Sequence, residues 1–381
     1  MDFRLTEEQE ELAKQIARLS QSELNEGLLE RERDGVFPID AWKKCAALGI
    51  QGLPVPEEYG GGGADALTIS VALEALGYGC RDNGLIFSIN AHMWSCEIPI
   101  MKFGTEEQRR RYLPSLADGS LVGVQAMTEP ATGSDAFALT TTAVEKGDVF
   151  VVNGAKTFIT NAPIADLFVV FVSTDPSAGI GSLSALLVEP DTPGLTVGAP
   201  FHKMGLRTSP MSELAFSDCE VPAANLLGSR GSGMAIFNSS MDWERSFILA
   251  SAVGTMRRQL EQCIAYASER EQFGQPIGKF QSVSHKIADM RTRLEACRLL
   301  LHQQGWRKAQ GRSSALHSAM VKVFISDSFV QCSLDTLQIH GAYGYMTESE
   351  VEREVRDALA SRIYSGTSEI QRNIIAASLG L

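Results

Sequence analysis

The spacing of hydrophobic and polar residues predicts two helical regions with a β-rich region between them. Thr6 and Gln9 form a capping box ahead of apolar residues at helical spacing, so a helix is predicted to begin near residue 6. Helical patterns continue to about residue 118. From about residue 121 to residue 230 the chain consists of short β-rich runs, and helical spacing returns after Gly233.

The β-rich region contains several predicted strands. The clearest are Val149–Val152, Leu167–Val172, Leu186–Val188 and Glu213–Phe216. The dipeptide Asn153-Gly154 directly after the first run predicts a hairpin turn. Glycine-containing breaks separate roughly four long helices in the last region, which is typical of an antiparallel bundle. A mainly α fold is therefore expected, with a helical domain over 1–120, a β domain over 121–230 and a helical bundle over 231–381, packed as one body.

The composition excludes several classes of protein. The 381 residues are 44% hydrophobic, which is enough apolar surface for a large core. A net charge of -12 without a lysine or arginine cluster argues against nucleic-acid binding. The seven cysteines include no C-x-x-C pair, so reduced thiols are expected and neither a disulfide framework nor a metal site is indicated. No signal peptide or membrane-spanning run is apparent, and a cytoplasmic protein is expected.

The glycine-rich segment Glu57–Gly63 is not a phosphate-binding loop by its sequence. It follows no clear strand and lacks both the Lys-Ser/Thr pair and the G-x-G-x-x-G pattern. We interpret it as a flexible turn. Because no Rossmann fingerprint occurs elsewhere, a nicotinamide cofactor is not expected.

Glu244 is the candidate for chemistry that the helical pattern itself indicates. On a helical wheel it lies at the edge of an apolar stripe, beside Phe237. A carboxylate in apolar surroundings is costly to ionise, which is common at functional sites. A structural ion pair, with Arg245 or with a residue of another helix, explains the position equally well.

The segment Tyr364–Arg372, Tyr-Ser-Gly-Thr-Ser-Glu-Ile-Gln-Arg, resembles the C-terminal flavin and active-site motif of the acyl-CoA dehydrogenase family. Many members carry their catalytic glutamate where this chain has Ser365, and a serine hydroxyl cannot take a proton from carbon unaided. The segment Ser239–Arg245 resembles that of isovaleryl-CoA and long-chain acyl-CoA dehydrogenases, in which the base lies on this helix. The resemblance therefore implies Glu244 as the catalytic base.

The resemblance extends over essentially the whole chain and implies FAD as the cofactor. Met127–Asp135 resembles the first flavin segment, Phe158-Ile-Thr160 stands where the family has Trp-Ile-Thr, and Arg270–Gly274 resembles a segment that reaches the FAD of a neighbouring subunit. Gln338–Ala342 resembles a Gln-x-x-Gly-Gly segment with alanine in place of the last glycine. The implied FAD-binding residues are Met127, Thr128, Ser134, Phe158, Thr160, Arg270, Phe273, Gln281, Gln338, Gly341, Thr367 and Glu369.

The implied reaction is α,β-dehydrogenation of an acyl thioester, with Ser134, Asp242 and Arg245 near the substrate and a homotetramer as the assembly. Segments around Cys80, His92 and Asn161 look most like the prolyl carrier-protein dehydrogenases, so a prolyl-like aminoacyl or acyl group on a carrier protein is favoured. The alternatives are a short branched-chain acyl-CoA as substrate, a flavin oxidase or oxygenase of the same fold, and a non-catalytic flavoprotein. The electron acceptor is either an electron-transfer flavoprotein or oxygen.

Overall fold

The computed structural model describes residues 4–175, 177, 181–312 and 314–381. The first region is helical, as predicted, and α1 begins with the expected capping box, in which the Gln9 amide N–H donates to Thr6 Oγ1 at 3.2 Å. A single π-helical turn, Met93–Glu97, joins α5 to α6. The helices are α1 Glu7–Glu23, α2 Leu28–Asp34, α3 Ile39–Ala47, α4 Ala66–Gly79, α5 Asn83–His92, α6 Ile98–Phe103 and α7 Glu106–Ala117.

The second region is a twisted sheet, which confirms the β-rich prediction. Its hydrogen-bonded order is β6-β7-β3-β2-β4-β5-β8, and β1 pairs in parallel with β4. Every residue of β4 and β5 is buried, because helices or other chain segments cover both faces of the sheet there. The strands are β1 Gly123–Ala126, β2 Thr142–Lys146, β3 Val149–Thr160, β4 Leu167–Ser173, β5 Leu183–Val188, β6 Leu195–Val197, β7 Met211–Pro222 and β8 Leu226–Leu227.

The hairpin turn predicted at Asn153-Gly154 is wrong. β3 continues through both residues with a register shift against β7, and the turn of this hairpin is Gly147-Asp148, with Gly147 at φ +66°. The Asn153 side chain instead bonds across the sheet to Asp218, whose backbone N–H donates to Asn153 Oδ1 at 2.8 Å. Pairing with the long β7 outweighs the local turn preference.

The third region returns to helices and packs directly on the first. α4 crosses α9 at two glycines, and a Cβ on Gly254 would lie only 1.9 Å from the Glu74 backbone oxygen. Gly77 makes the same close approach to Ser251. The elements are α8 Gly233–Phe247, α9 Ala250–Glu269, β9 Glu271–Gln272, β10 Gln275–Pro276, α10 Gln281–Ala309, α11 Ala315–His340, α12 Val351–Ala360 and α13 Ser368–Ser378.

Two further features of the fold bear on the sequence predictions. In the described residues, no helix is both long and apolar enough to cross a bilayer. The segment Glu57–Gly63 is a short 3-10 helix followed by a hydrogen-bonded turn, and a Cβ on Gly61 would meet the Val55 oxygen at 2.1 Å. The segment is therefore a packed turn, not the flexible one expected.

Candidate functional site

A cavity of about 1350 Å³ lies where the three regions meet. One wall comes from α5 and the π-turn, another from β1, the loop after it and the end of β3, and a third from α8 and the segment 363–367. Clefts at the junction of structural units, lined by apolar surface with a few polar groups, are the usual form of small-molecule sites.

Glu244 extends from α8 into this cavity and is 7% exposed. Its carboxylate accepts two hydrogen bonds from side chains of distant segments. Ser365 Oγ donates to Oε1 at 2.5 Å, and Ser95 Oγ donates to Oε2 at 3.1 Å. The family position that Ser365 occupies and the predicted base are thus in direct contact.

Burial favours the protonated form of Glu244, and neighbouring donors and cations partly oppose this effect. Burial raises the pKa of Glu244, while the hydrogen bonds from Ser365 and Ser95 and the charges of Arg245 and Lys322 lower it. Lys322 is itself fully buried, and burial lowers its pKa to about 8. A carboxylate with a raised pKa is a stronger base, once ionised, than an exposed glutamate.

The backbone around Ser365 is held firmly. Ser365 is in the left-handed region at φ +57°, an unusual conformation for a non-glycine residue. Its carbonyl accepts from Arg245 Nε at 3.3 Å and from the Gln371 amide at 3.2 Å. The next carbonyl, that of Gly366, accepts from Lys322 Nζ at 2.8 Å. These bonds fix the direction of the Ser365 hydroxyl toward Glu244.

A buried ion pair supports the loop on the opposite wall. Lys156 on β3 lies 2.8 Å from Glu129, and its Nζ also donates to the Met127 carbonyl at 3.1 Å. Glu129 accepts further bonds from the Thr140 backbone and hydroxyl and from the Thr141 backbone, at 2.6, 2.7 and 2.9 Å. Burial opposes ionisation of Glu129, but these partners lower its pKa. The loop 127–135 is therefore anchored from beneath.

Two residues that line this wall of the cavity, Phe158 and Thr132, have unusual surroundings. Phe158 is 61% exposed at φ +57°, although aromatic side chains are usually covered. Thr132 Oγ1 is buried, and within the described part of the chain no hydrogen-bond partner lies near it. An exposed aromatic ring and an unsatisfied hydroxyl fit a flat, polar-edged ligand.

The cavity brings together nine of the fifteen predicted site residues. Six others lie outside it, and all six are exposed. Phe273 is 94% exposed at the tip of the β9–β10 hairpin. The Tyr266 ring, in the last turn of α9, stacks on His340 with ring centroids 4.3 Å apart. The hairpin after α9 and the segment Gln338–Ala342 therefore lie in one surface region. The residues inside are Met127, Thr128, Ser134, Phe158, Thr160, Asp242, Glu244, Arg245 and Thr367, and those outside are Arg270, Phe273, Gln281, Gln338, Gly341 and Glu369.

Comparison with protein families covers nearly the whole chain. Residues 6–120, 124–219 and 231–380 match the N-terminal, middle and C-terminal domains of acyl-CoA dehydrogenases. The chain belongs to the acyl-CoA dehydrogenase family. The predicted family and fold are thereby confirmed, and the protein is an oxidoreductase of the acyl-CoA dehydrogenase type.

Relatives of this acyl-CoA dehydrogenase family member include enzymes named for prolyl carrier proteins. The L-prolyl peptidyl-carrier protein dehydrogenase of a Serratia species is 41% identical over 381 residues, covering 100% of this chain and 99% of the relative. The crystal structure of the prolyl acyl carrier protein oxidase AnaB is 49% identical, with a TM-score of 0.98, over 99% of this chain and 100% of that one. The structure of PigA with FAD and proline is 41% identical, with a TM-score of 0.98, over 100% of both chains.

Asp242, a candidate substrate-binding residue, has partners that the sequence did not indicate. It lines the cavity, but its carboxylate pairs with Lys308 and accepts from Ser318 Oγ at 2.9 Å. In the segment around His92, the side chains of His92 and Trp94 are fully buried, and the Trp94 indole stacks on that of Trp243 with ring centroids 5.9 Å apart. Both side chains therefore have a packing role.

Sequence reasoning missed Ser95 and Lys322, both of which act on Glu244. Ser95 lies in a predominantly apolar stretch after His92, and nothing in its spacing separates it from core residues. Lys322 lies within α11 among buried residues, and a lysine at an apolar helical position is the same signal that singled out Glu244. The sequence of α11 therefore contains the signal that identifies Lys322.

Proposed function

We propose that this protein catalyses FAD-dependent α,β-dehydrogenation of a prolyl-type aminoacyl thioester carried by a carrier protein, with Glu244 as the base. The relatives named for prolyl carrier proteins support the substrate class, since they match this chain from end to end. Glu244 carries the proposal: it is a buried carboxylate in a cavity, hydrogen-bonded by the serine that stands in place of the usual glutamate.

The cavity wall beside Glu244 supports a small substrate with a polar atom near the reacting carbons. Ser95 and Gln125 line the cavity on this side, and the Gln125 side-chain oxygen lies 3.2 Å from Ser240 Oγ, whose proton is donated to the Trp94 carbonyl at 2.9 Å. The Gln125 amide therefore has both donor and acceptor capacity for a substrate. A long aliphatic chain would leave this amide without a further partner, whereas a prolyl ring nitrogen can bond to it.

The residues on the opposite wall fit FAD. Thr128, Ser134, Phe158 and Thr160 would contact the cofactor from this wall, and Thr367 from the wall that carries Glu244, since the exposed ring of Phe158 and the unpartnered hydroxyl of Thr132 suit a flat ligand with polar edges. When bound, FAD supplies the acceptor for the hydrogen that leaves the β carbon as hydride. Glu244 takes the α proton as a base within the same cavity.

The pocket also affects the strength of Glu244 as the base that takes the α proton. Expulsion of water by the substrate desolvates the Glu244 carboxylate further, which strengthens it as a base. The positive charges of Arg245 and Lys322 act in the opposite direction, because they lower the pKa of Glu244 and favour its ionised form. Arg245 and Asp242 also line the cavity and are proposed to contact the thioester arm, together with Ser134.

The surface region with Arg270, Phe273, Gln281, Gln338 and Gly341 is proposed to bind the FAD of a neighbouring subunit in a homotetramer, as is Glu369. A phenylalanine that is 94% exposed on a hairpin supports this role, because a neighbouring subunit that covered it would bury its apolar ring. The acceptor of the electrons is either an electron-transfer flavoprotein or oxygen; oxygen consumption during turnover separates the two.

The decisive experiment mixes the FAD-loaded protein anaerobically with prolyl carrier-protein thioester, prolyl-CoA and a branched acyl-CoA, and follows bleaching of the flavin. The prolyl carrier-protein thioester is expected to bleach the flavin fastest, with a product lighter by one pair of hydrogens in its mass spectrum, since one FAD accepts one hydride. Glu244→Gln is expected to bind FAD and lose bleaching at least 100-fold. Glu261→Gln, the same change at an exposed residue of α9, should bleach like the wild type.

Each outcome has a distinct meaning. Faster bleaching by a branched acyl-CoA would replace the carrier-protein assignment with the alternative substrate class. Bleaching by Glu244→Gln at the wild-type rate would remove Glu244 as the base. A flavin that none of the thioesters bleaches would favour a non-catalytic flavoprotein.

A further inference from the structure

Ser95 reaches Glu244 because the chain leaves α-helical geometry just before it. Residues 93–97 form a π-turn, in which the Ile98 N–H bonds to the Met93 carbonyl five residues earlier. Pro99 favours this break, since it has no N–H to donate to the Ser95 carbonyl, as an α-helix would require. π-turns of this kind are frequent at functional sites, where they redirect a side chain.

A buried pair of side chains spans the π-turn. His92 and Glu97 are five residues apart, and His92 Nε2, which lies 3.1 Å from the Leu116 carbonyl oxygen, is also 3.2 Å from Glu97 Oε1, with both side chains fully buried. In an α-helix, residues five apart point about 140° away from each other, so this contact requires the wider turn. The Gly123 N–H donates to His92 Nδ1 at 2.9 Å, which ties the turn to β1.

The turn is also fastened to the helix that carries Glu244. Ser240 Oγ donates to the Trp94 carbonyl at 2.9 Å, one turn before Glu244 on α8. The indole of Trp94 is held by the Asn90 side chain at 2.8 Å and stacks on Trp243. The position of Ser95 relative to Glu244 is therefore determined by contacts on both sides of the turn.

We propose that Ser95 is a positioning residue for the reaction proposed above, which aims one carboxylate oxygen of Glu244 into the cavity and stabilises its ionised form. Ser365 holds the other oxygen, so the two hydroxyls together hold the carboxylate plane. The inference rests on the proposed role of Glu244 as the base. The charged and titratable groups that act on Glu244 are Arg245 from its own helix, Lys322 from α11 and Tyr364 from the segment before Ser365.

Loss of the Ser95 hydroxyl has a predicted sign. The hydrogen bond lowers the pKa of Glu244, so Ser95→Ala leaves that pKa higher. The acidic limb of the pH profile of flavin reduction should move to higher pH by about one unit, with a lower plateau rate. Ser88→Ala is the matched control, because the buried Ser88 hydroxyl bonds to Ser209 at 2.8 Å and not to the base. Its acidic limb should stay at the wild-type position.

A second measurement needs no substrate. Burial raises the pKa of Glu244, so the stability of the protein relative to Glu244→Gln is fully present at low pH and is lost as pH rises through the folded-state pKa. The difference in Tm between the wild-type protein and Glu244→Gln, measured against pH, therefore has its inflection at that pKa. The corresponding difference between Ser95→Ala and Ser95→Ala/Glu244→Gln should show the inflection at higher pH.

The outcomes separate this inference from the proposed function. An acidic limb and a Tm inflection that do not move in Ser95→Ala, while Glu244→Gln is inactive, overturn the role of Ser95 alone. Full activity of Glu244→Gln overturns the base assignment and this inference with it. If Ser95→Ala fails to retain FAD, Ser95→Cys serves instead, because it keeps the size of the side chain but replaces the hydroxyl with a weak donor. The acidic limb of Ser95→Cys should also move to higher pH, and a limb that remains at the wild-type pH overturns the inference.

Discussion

Lys156→Met tests the anchoring of the cavity loop by the buried ion pair with Glu129. The substitution removes a fully buried cation 2.8 Å from a carboxylate that is 3% exposed. Removing one partner of a buried pair costs about 3–5 kcal/mol, because the remaining charge has no counterion. Glu129 keeps its three bonds from Thr140 and Thr141, so the lower end, about 3 kcal/mol, is expected.

This free energy converts to a measurable change in melting temperature. Unfolding entropy near 60 °C is about 2.1 cal/mol/K per residue, or roughly 0.8 kcal/mol/K for a chain of 381 residues that unfolds cooperatively. A loss of about 3 kcal/mol therefore lowers Tm by about 4 °C, as followed by circular dichroism on the FAD-loaded protein. FAD retention should also fall, because Lys156 no longer holds the Met127 carbonyl.

Two variants make the test specific. Lys14→Met makes the same change at an exposed pair with Glu10, in which the ions are 3.9 Å apart, and should alter stability by less than about 1 kcal/mol. Lys156→Met/Glu129→Gln removes the unpaired charge as well and should recover part of the lost Tm. A Tm for Lys156→Met equal to that of Lys14→Met, or no recovery in the double variant, would refute the reasoning.

Three further predictions concern other parts of the molecule. Ser365→Ala should move the acidic limb of flavin reduction to higher pH, because its 2.5 Å bond lowers the pKa of Glu244; an unchanged limb in stopped-flow measurements from pH 5 to 9 would contradict this. Phe273→Ser should leave the helical content unchanged but reduce bound FAD and tetramer content in size-exclusion chromatography with light scattering; retention of both would oppose the proposed role in a neighbouring subunit. Gly254→Ala should destabilise the protein by about 1–3 kcal/mol in denaturant titration despite the better helix propensity of alanine, since its Cβ would lie 1.9 Å from the Glu74 oxygen; equal or higher stability would contradict the close crossing of α4 and α9.

Local signals predicted elements well where local interactions decide the structure. The capping box of Thr6 and Gln9 starts α1 because its bonds involve only neighbouring residues. The prediction at Asn153-Gly154 was wrong because the local turn preference competes with the pairing of β3 and β7, two strands of twelve residues each. No local sequence pattern contains this long-range pairing.

The same distinction between local and long-range interactions applies to the candidate site. Glu244 and Ser365 were found together because two sequence motifs of one family changed in a correlated way, and their 2.5 Å contact accounts for that correlation. Ser95 was missed because its direction depends on a π-turn, which combines Pro99, the buried pair behind it and a bond from α8. Such a turn shifts the helical register by one residue, so a wheel drawn at 100° per residue places Ser95 on the wrong face.

The geometry also predicts the effect of carboxylates at both positions, 244 and 365. Ser365→Glu would place a second carboxylate against Glu244, where the hydroxyl now lies 2.5 Å from Oε1. Two carboxylates this close cannot both ionise, so one proton would be shared and the pair would titrate together. The hydrogen bond that now stabilises the ionised form of Glu244, the proposed base, would be replaced by repulsion, and flavin reduction at pH 7 should fall at least tenfold. A shallow, two-step pH profile for Ser365→Glu, recovered to a single step in Ser365→Glu/Glu244→Gln, is the expected signature; wild-type rates in Ser365→Glu would mean that the two side chains do not share this space.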